Sequence, residues 1–377
     1  MAEGANTEAI QVALDLVRTK AADTALAEQL EKLALQEKDL DALSVAHDLL
    51  VRELTGPSRA EEMVRQAEVL RRAGAAAEDA LQQGEQGLSS VAPDEVEPLL
   101  ERLAGLAEDD GQVIGLYERQ VMRCKSPGDR LLALARAAEV AAERGALDRA
   151  REFYDIALAG GGQGDQVAIL LERARAADAA TKGGLRRILA EACVAGGEGA
   201  RDGGRTRSFL LGQAATIARE ELDDDQQAFQ WLQEALVVHA DEDRLDQLEA
   251  LADAVGAPER AVEVIGGALE QVFDGPLVRL LLRRRALLRR DALADLAGAA
   301  EDFKRLHDLS PGDGEVAEQL EGLYEDLGDV RGLVGLYEDQ ILRSKDGAHR
   351  AELATKVARL WEGELDDARE AADAWRR

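Results

Sequence analysis

Aromatic residues make up only 3% of this 377-residue chain, and it contains just seven prolines and two cysteines. No run of alternating β-branched residues stands out, so the pattern excludes a fold built on a sheet. The cysteines, Cys124 and Cys193, have no CxxC or CxxH spacing, which excludes a disulfide framework and a cysteine-based zinc site. Alanine, leucine, glutamate and arginine dominate instead, and these residues favour helices.

Long hydrophobic runs are also missing. No apolar segment approaches the ~20 residues that a membrane-spanning helix needs. The N-terminal segment begins acidic and becomes amphipathic, which is unlike a secretory signal peptide. We therefore predict a cytoplasmic chain without a membrane span, in which both cysteines stay reduced and serve as small packing residues.

The chain has an excess of acidic residues, with a formal net charge of −29. Phosphate groups are repelled by such a charge, so neither nucleic acid nor an anionic membrane is an expected partner. Two interpretations stay open from the sequence. The acidic residues form a well-solvated surface, or they line a concave face that binds a basic peptide or protein.

One spacing of small and large apolar residues recurs along the chain. Ala299, Phe303 and Leu306 share one helical face, and Pro311 ends that helix. The leading positions 228, 261, 299, 333 and 368 are separated by 33, 38, 34 and 35 residues. Alanine, three residues, phenylalanine and then a proline, repeated about every 34 residues, resembles the second helix of a tetratricopeptide (TPR) repeat. The other frames are Ala150, Tyr154, Ala157; Ala228, Leu232, Ala235; Ala261, Ile265, Ala268; Leu333, Tyr337; and Ala368, Ala372, Trp375.

Glycines five residues before three of these frames mark the turns between paired helices. Gly145, Gly256 and Gly363 are each predicted to end a first helix in the left-handed conformation. A longer repetition supports internal duplication, because residues 95–125 resemble residues 315–345 at a constant offset of 220. Tyr117 and Tyr337 occupy matching positions in that duplicated segment.

The resemblance implies an all-α, right-handed solenoid of about nine helix–turn–helix units, each completing its core against its neighbours. We divide the chain into divergent helical repeats over 1–91, TPR-like repeats over 92–200 and a second set over 201–377. Because the last helix looks unfinished, we expect a chain that is truncated or continues beyond residue 377. Abundant arginine and scarce lysine suggest a bacterial source.

No arrangement of residues indicates catalysis or a cofactor. The four histidines lie in different repeats, and none has ligand spacing to another histidine or cysteine. The acidic runs 223–225 and 366–367 lie at the starts of helices, where aspartates serve as caps. We therefore predict a non-enzymatic protein with no cofactor and no metal site.

Two groups of residues are candidates for partner binding. The segment 279–290 has six arginines among twelve residues, and the TPR resemblance places it on a first helix, which lines the concave face. Its arginines either pair with acids of neighbouring repeats or bind an acidic peptide, a carboxylate terminus or a phosphate group. Tyr117 and Tyr337 either pack between helices or face a ligand. The candidate residues are Arg279, Arg283, Arg284, Arg290, Tyr117 and Tyr337.

These observations favour a protein-interaction scaffold that binds a peptide or a partner protein in the concave groove. A regulatory or sensor region of a longer multidomain protein is the alternative. Self-association through the uncapped C-terminal end is a further hypothesis, because an uncovered repeat exposes apolar surface. The sequence does not indicate which partner is bound.

Overall fold

The computed structural model describes residues 2–18, 23–92, 95–159, 164–181, 184–198 and 201–376. Within those ranges every regular element is an α-helix, which confirms the predicted all-α class. The helices are α1 (Ala2–Arg18), α2 (Thr24–Glu37), α3 (Leu40–Val51), α4 (Gly56–Ala73), α5 (Ala77–Leu88), α6 (Glu97–Ala104), α7 (Asp110–Arg123), α8 (Pro127–Glu143), α9 (Leu147–Leu158), α10 (Gly164–Thr181), α11 (Leu185–Ala195), α12 (Arg205–Leu222), α13 (Asp225–Val238), α14 (Glu242–Val255), α15 (Pro258–Leu269), α16 (Gly275–Asp291), α17 (Leu296–Leu309), α18 (Gly314–Leu327), α19 (Val330–Arg343), α20 (Gly347–Gly363) and α21 (Ala368–Arg376).

After α1 the described helices form ten consecutive helix–turn–helix pairs, from α2 with α3 to α20 with α21. We call the even-numbered member of each pair the first helix and the odd-numbered member the second helix. The predicted solenoid of helical hairpins is confirmed, with ten pairs where the sequence predicted about nine. The handedness of a superhelix stays a prediction.

The pairs group into two compact units, Met1–Leu189 and Ala190–Arg377, which we call the N-terminal and C-terminal units. The boundary between them falls within α11. The division into 1–91, 92–200 and 201–377 stays a prediction, and residues 199–200 at one of its boundaries lie outside the described residues.

Acidic N-caps explain where many of these helices begin. In ten helices an aspartate precedes the first residue and its carboxylate accepts a backbone N–H of the first turn, as Asp224 does from Gln227 N at 3.0 Å. Asp367 caps α21 in the same way. The acidic runs at 223–225 and 366–367 therefore contribute helix caps, as their positions indicated.

The turns between paired helices follow the glycine prediction at two positions out of three. Gly145 (φ 76°) and Gly256 (φ 68°) are left-handed, as predicted. The prediction for Gly363 is wrong, because this residue is the last of α20 and Asp366 (φ 50°) takes the left-handed conformation. Helix α20 thus extends further than expected, and its partner helix begins later along the chain.

The predicted apolar frames form the buried stripes of the second helices. Ala228, Ala261 and Ala299 are fully inaccessible to solvent, and the larger residue four positions after each is buried as well. The last frame is wrong by three residues, because the later turn makes Ala371 the buried small residue of α21. Trp375, four positions after it, is 54% exposed.

The closest helix approach gives a stability prediction. A Cβ atom on Gly87 would lie 2.8 Å from Ala60 Cα, so α4 and α5 would have to separate. We expect Gly87→Ala to destabilise the protein by about 1–3 kcal/mol. Gly322→Ala is the matched control, since its Cβ meets nothing within 4 Å in α18, and it should stabilise by about 0.5–1 kcal/mol through helix propensity. Urea unfolding followed by circular dichroism measures both, and a Gly87→Ala protein as stable as the parent contradicts the prediction.

Candidate functional site

Arginine–carboxylate pairs connect consecutive first helices of the N-terminal unit. Arg65 of α4 binds Glu31 of α2, with Nη1 2.7 Å from Oε1. Arg102 of α6 binds Glu68 of α4 at 2.8 Å, and each pair spans 34 residues, which is one repeat. The next pairs along this surface are Arg136 with Glu97 and Glu101, and Arg173 with Glu139. We call the surface formed by α2, α4, α6, α8 and α10 the first-helix face.

A cavity of about 640 Å³ opens on this face. It is bounded by the first helices α6, α8 and α10 and by the second helix α7. Leu132 lies in its wall and is 47% exposed, although most leucines of the unit are buried. The lining residues are Val96, Glu97, Leu100, Glu101, Tyr117, Gln120, Cys124, Asp129, Leu132, Ala133, Arg136, Glu139 and Arg173.

Tyr117, one of the residues predicted from sequence, forms the aromatic part of the cavity wall. Its hydroxyl donates to Glu97 Oε1 at 3.4 Å. The guanidinium carbon of Arg136 lies 5.7 Å from the centre of its ring, within cation–π range. Burial, followed by the nearby charge of Glu97, raises the pKa of the Tyr117 phenol. The phenol therefore stays neutral and acts as a hydrogen-bond donor.

Tyr337 has the same kind of surroundings in the C-terminal unit. Its hydroxyl donates to Glu321 Oε1 at 2.5 Å, and the ammonium of Lys356 lies 4.9 Å from its ring centre. Lys356 also pairs with Glu321 at 3.0 Å. Burial opposes ionisation of Glu321, yet the hydrogen bonds from Tyr337 and Lys356 hold the pKa of that carboxyl below its usual value. Each tyrosine thus joins an acid on the preceding first helix to a cation on the following one.

Sequence analysis identified both tyrosines but missed their partners. Arg136 and Lys356 are separated by the same 220 residues as the two tyrosines, and so are Glu101 and Glu321. The duplicated match therefore continues past residues 125 and 345, through helices α8 and α20 of 17 residues each. A similarity between Gly145 and Gly363 at a different offset had obscured this continuation.

The predicted arginines lie on α16, in the C-terminal unit. Three of the four pair with acidic residues, and Arg279 forms no ion pair within the described residues. The interpretation that these arginines serve contacts within the protein is therefore structurally satisfied, while their role in partner binding stays a prediction. The pairs are Arg283 with Asp313 and Glu315, Arg284 with Asp246 and Glu249, and Arg290 with Asp291.

Two further arginines of α16 stabilise the helix pair itself. Arg285 and Arg289 both bind the carboxylate of Asp302 on α17, which is 1% exposed. A buried carboxylate requires such partners, because removing a charge from water is costly. The arginine-rich segment therefore serves in part to fix α16 against α17.

Two searches of the described part of the chain returned nothing. It contains no cluster of three or more histidine, cysteine, aspartate or glutamate side chains that could hold a metal ion. It also contains no helix that is both long enough and apolar enough to cross a membrane. Cys193 is buried, and Cys124 lies in the wall of the Tyr117 cavity.

Comparison with known proteins adds little to this description. No protein-family model matches the chain, and no curated protein matches it. The crystal structure of the P58(IPK) TPR domain is similar over 97% of this chain and 99% of that one, at 14% identity and a TM-score of 0.22. The APC/C hetero-tetramer Cut9–Hcn1 is similar over 99% of this chain and 83% of that one, at 12% identity and a TM-score of 0.22. Similarities this low carry no argument about function.

The four tyrosines give a prediction about alkaline pH. Burial raises the phenol pKa of Tyr117, Tyr154, Tyr324 and Tyr337 above the ordinary value of 10.0. The folded state therefore favours the neutral phenols, and the unfolded chain ionises first, so the free energy of unfolding falls as pH rises through about 10. We expect phenolate absorbance to appear together with the loss of helical circular dichroism. Titration of a tyrosine near pH 10 in a fully helical protein contradicts this prediction.

Proposed function

We propose that this chain is a non-enzymatic interaction scaffold that binds a segment of another protein on its first-helix face, in the cavity at Tyr117. The observation that carries the proposal is the composition of the cavity wall. It combines an exposed leucine, an aromatic ring and charged side chains in a space of about 640 Å³. This volume lies within the range of known ligand pockets, and a few polar groups around an apolar wall are typical of them.

The cavity is bounded by helices that contact one another through ion pairs. Arg136 joins α8 to α6, and Arg173 joins α10 to α8. A wall held in this way loses little conformational entropy when a partner binds, which favours affinity. An extended segment lying across successive first helices would meet Leu132 and the ring of Tyr117 together.

The C-terminal unit supports partner binding less strongly. The arginines predicted to bind a partner are mostly neutralised by acids of adjacent helices, so an acidic ligand would have to displace those acids. Self-association through α21, where Trp375 is exposed, stays a prediction. So do the regulatory role within a longer protein, the cytoplasmic location and the bacterial source.

A selection from a displayed library of random peptides tests the proposed site. Peptides enriched on the purified chain should lose about tenfold or more in affinity for Leu132→Glu, because the added charge removes an apolar contact. The fold should tolerate this change, since Glu352 occupies the position 220 residues later on α20. Isothermal titration calorimetry gives the affinities.

The matched control is Met122→Glu, which places the same charge on α7 outside the cavity. Met122 is 75% exposed and does not line the cavity, so this variant should bind the selected peptides like the parent chain. If Leu132→Glu binds them equally well, the cavity is not the binding site.

A further inference from the structure

Acidic groups outnumber basic groups in the Tyr117 cavity. Four carboxylates line it, whereas only the two guanidinium groups of Arg136 and Arg173 oppose them, so two formal negative charges stay uncompensated. Asp129 forms no ion pair within the described residues. Glu101 lies 3.4 Å from Arg136, and its side chain is 61% exposed. These two carboxylates are the least neutralised groups of the cavity.

A neighbouring cavity continues the acidic surface along α8 and α10. Its volume is about 460 Å³, and it shares Arg136, Glu139 and Arg173 with the first cavity. It adds Glu143 and Glu172 to the lining but no further cation. The two spaces therefore form one groove, in which the excess of negative charge grows with distance from Tyr117.

The duplicated segment supplies an internal comparison. The Tyr337 copy keeps the tyrosine, the glutamate at 321 and a cation at 356. At the same offset of 220 residues it has Ala317 for Glu97, His349 for Asp129 and Arg359 for Glu139. Three of the four carboxylates of the Tyr117 cavity are thus absent from the copy, so the acidic lining is not needed to build this type of helix pair.

We propose that the segment bound in the Tyr117 groove is basic: an arginine or lysine of the partner pairs with Glu101 and Asp129, and an apolar neighbour of that residue contacts Leu132. The inference rests on the proposed function and specifies the class of partner for the same site. A basic segment is also favoured by the net charge of −29, because long-range attraction accelerates association.

The displayed library decides the class of partner, because its peptides are selected without bias in charge. Peptides whose binding depends on Leu132 should be enriched in arginine and lysine. A synthetic selected peptide is then compared with a form in which citrulline replaces one arginine, since citrulline keeps the shape and removes the charge. The citrulline form should bind about tenfold more weakly or worse.

Two charge-matched double variants locate the contact. Glu101→Gln with Asp129→Asn should weaken the selected peptide about tenfold or more and reduce the dependence of its affinity on salt. Asp148→Asn with Glu152→Gln removes the same two charges from α9, outside both cavities, and should leave the affinity close to that of the parent chain. Circular dichroism checks that both variants are folded.

The outcomes separate this inference from the proposed function. If no selected peptide depends on Leu132, the proposed function fails, and the inference fails with it. If dependent peptides are selected but carry no basic residue, or bind the Glu101–Asp129 variant as tightly as the parent, the proposed function stands and the inference is overturned. Basic peptides that lose affinity only in the Glu101–Asp129 variant support both.

Discussion

The structure depends on the fact that one pair of helices is too thin to bury its own apolar surface. Each pair covers part of that surface with the next pair, so the core continues from pair to pair. In the C-terminal unit, one cluster of buried side chains includes Leu282 of α16, Phe303 of α17, Leu320 of α18 and Ala374 of α21. Fully buried alanines in the second helices let neighbouring helices approach closely, which explains why a chain with few aromatic residues still packs well. Stability should therefore accumulate from contacts between neighbouring pairs.

The arginine–carboxylate pairs follow from the same repetition. Once a repeat has a glutamate on its first helix and the next repeat has an arginine one repeat length later, the fold brings the two together, as with Glu31 and Arg65. Such partly exposed pairs contribute only about 0.2–1 kcal/mol each. Their value lies in fixing how one first helix is aligned with the next, and hence in shaping the groove. Because the arginines are used in this way, much of the remaining acidic charge is left for solvent and for a partner.

Sequence reasoning predicted what is local and repeated. The frames around Ala228, Ala261 and Ala299, and the left-handed Gly145 and Gly256, follow from residues close together in the chain. The turn at Asp366 was missed because glycine is only the usual choice for a left-handed position, and an aspartate adopts it at modest cost. The cavity was out of reach for another reason. Tyr117 was identified through the duplication, but its hydrogen bond to Glu97 depends on how three helices pack, which no short pattern encodes.

The two tyrosine copies separate the part of the site that supports the fold from the part that would select a partner. In both copies a tyrosine of a second helix connects an acid of the preceding first helix to a cation of the following one, although the cation is Arg136 in one copy and Lys356 in the other. Different residues making the same contact indicate a role in positioning helices. The residues that differ between the copies, such as Asp129 and its counterpart His349, lie around this contact and take no part in it. Helix pairs of this kind can therefore change the charge of the groove without loss of packing, because the tyrosine contact and the buried alanines hold the helices in place independently of the groove lining.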